Sequence, residues 1–423
     1  MKKTVKLIAL ALALVLLTAC AGEKTTDGAA DVPDAAADST EFVPALDTEK
    51  DVELSAAVFF GNFEALDQVI NHFNDIYPNV VITYESIGSS NSDFLMNNPS
   101  LDIFMTSNER GYPEESCLDL LAAGVDVSAF GDGLLDCNMV DGQLHAIPMG
   151  LSLRGIVVNK TLLEKEGLEV PQTWEALLDT MEALKQKGYT PLQGPDKAFS
   201  GLCYDMGMTM LSNDPELREK VSEGDRSGVE ALSQIYERML TLLEKGYIVP
   251  EVNAEYPEDN YDGAIMKFFE GDVPFWVCDT EKVSGMKKRE SKSETFSAEP
   301  FEYEFTFAPL GDNGVYEFIE PWYGFAVNKD SDDVDYAVEF LRFMAREDEL
   351  NTLASVKGVP SAAKNAQDER YTGLESIERV EAYAVYDGSV PAPVVTELGE
   401  TARAILAGDV TDINGAIDYF LSD

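Results

Sequence analysis

Strand, helix and strand follow one another between Leu54 and Tyr84 with almost no slack, and this unit commits the chain to a helix-covered sheet. Leu54 to Phe60 is an apolar run of strand length. Leu66, Val69, Ile70, Phe73 and Tyr77 then recur at helical spacing before Pro78 stops the pattern, with Asn62 placed to cap the start. Val80 to Tyr84 is the second strand. Two strands joined through a helix of this length pair parallel, which predicts an α/β fold. Leu101 to Met105 adds another short buried strand. A chain of 423 residues exceeds one ordinary core, so two lobes are expected.

The stretch from Asp141 to Pro191 is the next most constrained. Asp141-Gly142, set between Met139-Val140 and Leu144 to Ile147, is a strong hairpin signal. Gly155 to Lys160 reads as a buried strand, Leu162 to Glu166 as a short helix ending at Gly167. Thr173 can cap a longer helix carrying Trp174, Leu177, Leu178, Met181 and Leu184, ended by Gly188. Further on, Cys117 to Gly124 and Val229 to Lys245 read as helices, the second stopped by Gly246. Leu192 to Leu211 has no clear period. Tyr261 to Gly271 reads as helix and stop, Val273 to Val277 as a strand, and Pro321 to Asn328 as a strand leading to a helix that Asp333 can cap. Gly358 to Ser361 follows that helix. Thr396 to Leu406 and Ile413 to Leu421 read as closing helices.

Three blocks carry a resemblance in order and spacing. Gly-Gln-Leu-His-Ala-Ile-Pro-Met with Ile-Val-Val-Asn-Lys-Thr-Leu-Leu-Glu-Lys-Glu-Gly-Leu and Val-Pro-Gln-Thr-Trp-Glu-Ala-Leu is the first, Tyr261 to Val277 the second, and Pro321 to Asn328 with Gly358 to Ser361 the third. Together they resemble family 1 extracellular solute-binding proteins of ABC importers, the maltose-binding type, over about Leu54 to Leu421. The resemblance implies a two-lobed periplasmic-binding-protein-like fold, each lobe an open, mostly parallel sheet flanked by helices. It implies three crossings, near Gly155, Gly271 and Asn328. Residues 52–155 with 272–328 would form lobe 1, and 156–271 with 329–423 lobe 2. The implied function is capture of a carbohydrate, an oligosaccharide, in the interlobe cleft by a monomer that delivers it to transmembrane permease subunits. No cofactor is implied.

The N-terminus fits export. Lys2, Lys3 and Lys6 precede an apolar run, Leu7 to Ala19, that is too short to span a bilayer. Leu17-Thr18-Ala19-Cys20 resembles the lipobox, which makes 1–19 a signal peptide and Cys20 the lipidated residue. Residues 20–51 are rich in Ala, Asp, Thr and Glu and poor in large apolar groups, and read as a tether. About thirty flexible residues reach on the order of 30 Å. The expected location is the outer face of the cytoplasmic membrane. A formal net charge of -46 argues against nucleic acid as a partner.

Chemistry-bearing motifs are sparse. His72 and His145 are the only histidines, and no nucleophile elbow, phosphate loop or His-Glu-x-x-His accompanies them. Cys117, Cys137, Cys203 and Cys278 lack Cys-x-x-Cys spacing; bridges and free thiols both remain open. Asp259 to Gly263 lacks the spacing of a calcium loop. No catalytic or metal-binding residue is assigned.

Binding chemistry fits better, because sugars offer C–H faces to aromatic rings and hydroxyls to polar side chains. Trp174 lies on an apolar helix face and belongs to the core. Trp276 and Trp322 lie on strands with polar neighbours, Asp279 near the first and Glu320 and Tyr323 near the second. By position in the resemblance, Phe60, Asn62, Asn108, Arg110 and Arg154 complete the expected ligand-binding set. The rival readings are a cationic polyamine or peptide as ligand, a carboxylate-dependent glycoside hydrolase, and a sensor or adhesin using the same cleft.

Overall fold

The computed structural model describes residues 41–87, 98, 100–107, 113–256, 261–366, 369–374, 377 and 379–422. Residues up to Val43 form a separate unit, and everything below concerns the compact unit Pro44–Asp423. Its strands in chain order are β1 (Val52–Val58), β2 (Val80–Ser86), β3 (Ile103–Thr106), β4 (Met139–Val140), β5 (Gln143–Leu144), β6 (Ile147–Ser152) and β7 (Arg154–Asn159). Then come β8 (Leu192–Gln193), β9 (Phe275–Asp279), β10 (Tyr303–Thr306), β11 (Val315–Val327) and β12 (Arg379–Val385).

The first unit of the sequence folds as its pattern dictates. β1 and β2 pair parallel from Val52–Val80 to Val58–Ser86, and helix Glu64–Asn74 crosses between them with Leu66, Val69, Ile70 and Phe73 buried. β3 pairs parallel to β1 on its other side. Asn62 does not cap this helix: the cap position is Phe63, no side chain caps it, and Asn62 is exposed. The hairpin forms at Asp141-Gly142, where both residues take positive φ, 51° and 81°, the geometry a two-residue type I′ turn requires. Thr173 Oγ accepts from Ala176 N at 3.3 Å, capping helix Trp174–Gln186, and Gly167 ends helix Lys160–Glu166 at φ 74°.

Two sheets organise the unit. The first runs β12-β11-β3-β1-β2, with β6 also on β11; the second runs β10-β7-β9-β8. Pairing in the first is mostly parallel, as expected. In the second, β7 is antiparallel to both β9 and β10, and only β8–β9 is parallel. The reason lies at the junction: β7 enters from β6 while β9 runs back towards it. Thr280 at the end of β9 clasps that point, its N–H donating to Leu153 O at 2.9 Å and its Oγ accepting from Leu153 N at 3.2 Å.

This pairing revises the expected division of the chain. Residues 275–279 and 303–306, assigned by resemblance to the first lobe, are strands of the second sheet. Residues 334–357, assigned to the second, form helices Val334–Met344 and Glu347–Lys357 that pack on helix Glu64–Asn74; Phe73 meets Phe340 and Phe343 edge-on at 5.2 and 5.5 Å. The chain therefore passes from the first sheet to the second at 152–154, between β6 and β7, and returns between β10 and β11. Within the first sheet β11 pairs with β12 through Val315–Ile319 and with β6 and β3 through Glu320–Val327, and Phe318 and Ala384 reach the core of the second sheet. The first passage matches the expectation near Gly155. The passages expected near Gly271 and Asn328 do not occur, because Gly271 only ends helix Tyr261–Phe268 and its turn, and Asn328 lies beside β3, donating to Leu101 O.

Helices Asp196–Asn213, Ser233–Glu244, Ala392–Ala407 and Ile413–Phe420 share one core with Ile156, Val158, Phe275 and Val277 of the second sheet. Two expected helices differ. Residues 118–124 form turns, in which Asp119 accepts from Leu121 N, and the 229–245 helix is interrupted at Leu232. Residues 44–51, expected as the end of the tether, lie against the body. Ala45 N donates to Glu339 at 2.8 Å and Tyr336 Oη to Asp47 O at 2.9 Å.

Candidate functional site

The chain leaves β1 at its carboxyl end through Phe59-Phe60-Gly61, and β11 runs alongside where its pairing changes from β12 to β6 and β3. Parallel strands of open sheets present ligands at this end. Four rings meet there. Phe60 lies 5.7 Å from Trp322 and 5.6 Å, edge-on, from Tyr323; Phe59 lies 5.1 Å from Tyr323. Phe59, Phe60 and Tyr323 are half-buried, and Trp322 is 8% exposed. Phe63 and Phe325 stack beneath as a floor continuous with the core.

Tyr323 has φ 38°, an unfavourable conformation for a bulky residue, held by its neighbours. Trp322 pairs with Gly150, and Gly324 with both Pro148 and Thr106, so β11 is clamped between β6 and β3. The clamp needs a glycine: a Cβ on Gly324 would lie 2.7 Å from Thr106 Oγ. Beside the rings, a small recess of Thr106, Ser107, Asn138, Pro321 and Tyr323 supplies hydroxyl and amide groups.

Among the described residues, one cation stacks on these rings. Lys357 Nζ, from the end of helix Glu347–Lys357, sits 3.8 Å from the Phe60 ring centroid and 5.2 Å from that of Trp322. Burial holds its pKa below the ordinary lysine range.

Arg154 lies at the first passage, but its guanidinium faces inward. It donates from Nε and Nη2 to Asp205 at 3.0 and 2.7 Å, stands 3.8 Å from Glu320, and covers the Tyr204 ring at 4.9 Å. Burial opposes its charge, yet Asp205 and Glu320 outweigh that and hold its pKa above the usual value. Arg154 and Glu320 thus brace β7, β11 and helix Asp196–Asn213 behind the rings. Asp279 is likewise committed: it caps helix Thr280–Glu290 through Lys282 N at 3.0 Å and pairs with Lys282 Nζ at 2.9 Å.

Trp276 must be reassigned. It is fully buried in the second sheet, stacked on Phe268 at 5.6 Å within a cluster containing Phe269, Phe301 and Tyr303, so it offers no face to a ligand. On β9 it alternates with Phe275 and Val277, so its ring faces away from the core those two share and onto Phe268 of helix Tyr261–Phe268. Asn108, Arg110, Cys20, Asp259 and Asn260 lie outside the described residues. Phe59 and Lys357 escaped the sequence reading. The Phe59-Phe60 doublet was a usable signal for the first, whereas nothing local marks Lys357.

Reactive groups are scarce near the rings. Cys117, Cys137, Cys203 and Cys278 are free thiols, and burial pushes Cys117 and Cys203 up to about 12. His72 pairs with Glu349 at 3.0 Å, between helices Glu64–Asn74 and Glu347–Lys357. Among the described residues, no group of three or more His, Cys, Asp or Glu could hold a metal, and no helix is long and apolar enough to cross a membrane.

Two helix-flanked sheets, with an aromatic cluster at the middle of β11, define the two-lobed α/β fold of solute-binding proteins. Over residues 95–378 the chain matches the family described as bacterial extracellular solute-binding protein, and it belongs to that family. Similar solved structures agree in fold. A sugar transporter from Bacillus licheniformis in complex with stachyose has TM-score 0.59 and 19% identity, covering 88% of this chain and 98% of its own. The sugar-binding protein MalE from Xanthomonas citri has TM-score 0.65 and 15% identity, covering 88% and 95%. A probable secreted solute-binding lipoprotein from Streptomyces coelicolor has TM-score 0.66 and 16% identity, covering 88% and 98%. In sequence, 52 residues are 35% identical to the multiple sugar-binding protein of Streptococcus mutans, a match spanning 12% of either chain.

Proposed function

We propose that this protein captures an extracellular carbohydrate, an oligosaccharide, between its lobes and delivers it to the transmembrane permease of an ABC importer. The observation that carries this is the cluster of Phe59, Phe60, Trp322 and Tyr323 where β1 ends beside β11, in which Phe59, Phe60 and Tyr323 are partly open and hydroxyl groups lie beside them. Such faces stack on sugar rings. The lobes are taken as 52–152 with 321–357 and 154–319 with 379–422. Closure follows from ligand contacts to both lobes, since a solute stabilises whichever state it binds better. The protein acts as a monomer, held to the outer face of the cytoplasmic membrane by lipid on Cys20 and needing no cofactor.

A cationic ligand would require carboxylates facing the rings, and a glycoside hydrolase would require two across the pocket. The acidic residues nearest by sequence, Glu320 and Asp279, are engaged by Arg154 and Lys282 instead. Binding without turnover is therefore the reading. The test is a thermal-shift and calorimetric screen of the full chain, in mild detergent, against oligosaccharides, polyamines, amino acids and peptides. A saccharide at about a hundred times its Kd should stabilise the protein by roughly 2.7 kcal/mol, with no product after long incubation. Stabilisation by polyamines alone, or glycoside cleavage, would overturn it.

A further inference from the structure

Resting on the carbohydrate reading above, we infer that the site is built for an acidic saccharide, one carrying a carboxylate such as a uronate, with the Lys357 ammonium as its counter-ion. Acidic residues outnumber Lys and Arg 77 to 31 in this chain, so a carboxylate partner is the easy default for any cation. Many cations take one: Arg154 meets Asp205, Lys282 meets Asp279, and Lys288, from the helix that faces Lys357, meets Glu64 at 3.2 Å. Lys357 is different. Among the described residues no carboxylate oxygen lies within 4.0 Å of its Nζ, and its close contacts are the Phe60 and Trp322 rings.

The nearest charges on helix Thr280–Glu290, Glu281 and Lys288, act on it in opposite senses. Burial weakens its charged form, which is the cost of placing an ammonium here without an ion-pair partner. A ligand anion would supply that partner, and charge-assisted contacts of this kind are stronger than neutral ones. The rings fix where it would sit: a sugar stacked on the partly open faces of Phe60 and Tyr323 brings its substituents alongside the ammonium. The alternative use of Lys357 is as a plug that covers the Phe60 face until a neutral sugar displaces it. The two uses predict opposite effects of removing the charge.

The experiment compares matched pairs by titration calorimetry on the full chain: oligogalacturonides against their methyl esters, and xylo-oligosaccharides with and without a glucuronate branch. The acidic member of at least one pair should bind about tenfold or more tightly than its neutral counterpart, and added salt should narrow the gap. K357Q and K357M should abolish the preference for the acidic member of a pair, and K357R should retain it. Melting temperatures of the variants would verify folding, and R retention guards against a packing artefact. Neutral members binding as tightly as acidic ones, or K357M binding neutral sugars more tightly, would overturn the inference and leave the carbohydrate reading intact. Failure of every saccharide to bind would overturn both.

Discussion

Trp276 and Trp322 carry the same side chain on strands of similar character, and their surroundings separate them. Trp276 is sealed among Phe268, Phe269, Phe301 and Tyr303, whereas Trp322 lies at the middle of β11 against the half-buried rings of Phe60 and Tyr323. Truncating a sealed tryptophan leaves a cavity, and W276A should cost about 3–5 kcal/mol in stability while the folded fraction keeps its saccharide affinity. F60A and W322A should lower affinity about tenfold, the loss expected for a ring stacked on a ligand. Denaturant titration and calorimetry on the same variants read both effects. A folded W276A that lost more affinity than W322A would sink this assignment. The polar residues show the complementary lesson: Arg154 engages Asp205 and Glu320, and Asp279 caps helix Thr280–Glu290 and pairs with Lys282.

At the scale of elements, the segment before β1 is the instructive one. Residues 44–51 have little apolar surface and read as tether, but polar contacts bind them to the first lobe. Beyond the bonds from Ala45 N and Tyr336 Oη, Asn79 Nδ2 donates to Glu49 O at 2.8 Å, and Lys50 lies 3.3 Å from Asp333 and over the Tyr336 ring. Glu339, buried, accepts from both Ala45 N and Tyr77 Oη. A chain beginning at Asp51 removes one of those donors and should be about 1–3 kcal/mol less stable than one beginning at Pro44. Equal urea midpoints for the two would show that the segment is merely laid on the surface.

At the scale of the molecule, buried tyrosines set the alkaline limit. Burial, followed by hydrogen bonds to Glu339 and Glu182, pushes Tyr77 and Tyr247 up to about 12. An unfolded tyrosine releases its proton near 10. Between these values the unfolded state binds fewer protons than the folded one, so stability falls as pH rises from about 10 to 12 and is unaffected by these groups below that window. Urea midpoints measured from pH 8 to 11.5 should decline beyond pH 10, and less steeply in Y77F. A flat profile in the parent would refute the linkage.

Local order was legible because its causes are local. The 3.6-residue stripe of Leu66 to Phe73, the Thr173 cap and the positive-φ turn at Asp141-Gly142 each depend on residues within a few positions of one another, and each formed where the sequence placed it. The α/β class and a second core followed from the crossover helix and the chain length. Other features waited on contacts between distant segments. Which sheet β9 and β10 join depends on pairing with β7, more than a hundred residues earlier, and the passages moved with them. Phe60 meets Trp322 and Lys357 only because helix Glu347–Lys357 packs behind β6 and helix Glu64–Asn74. Periodicity tells a side chain which face to take; only tertiary packing decides what that face looks upon.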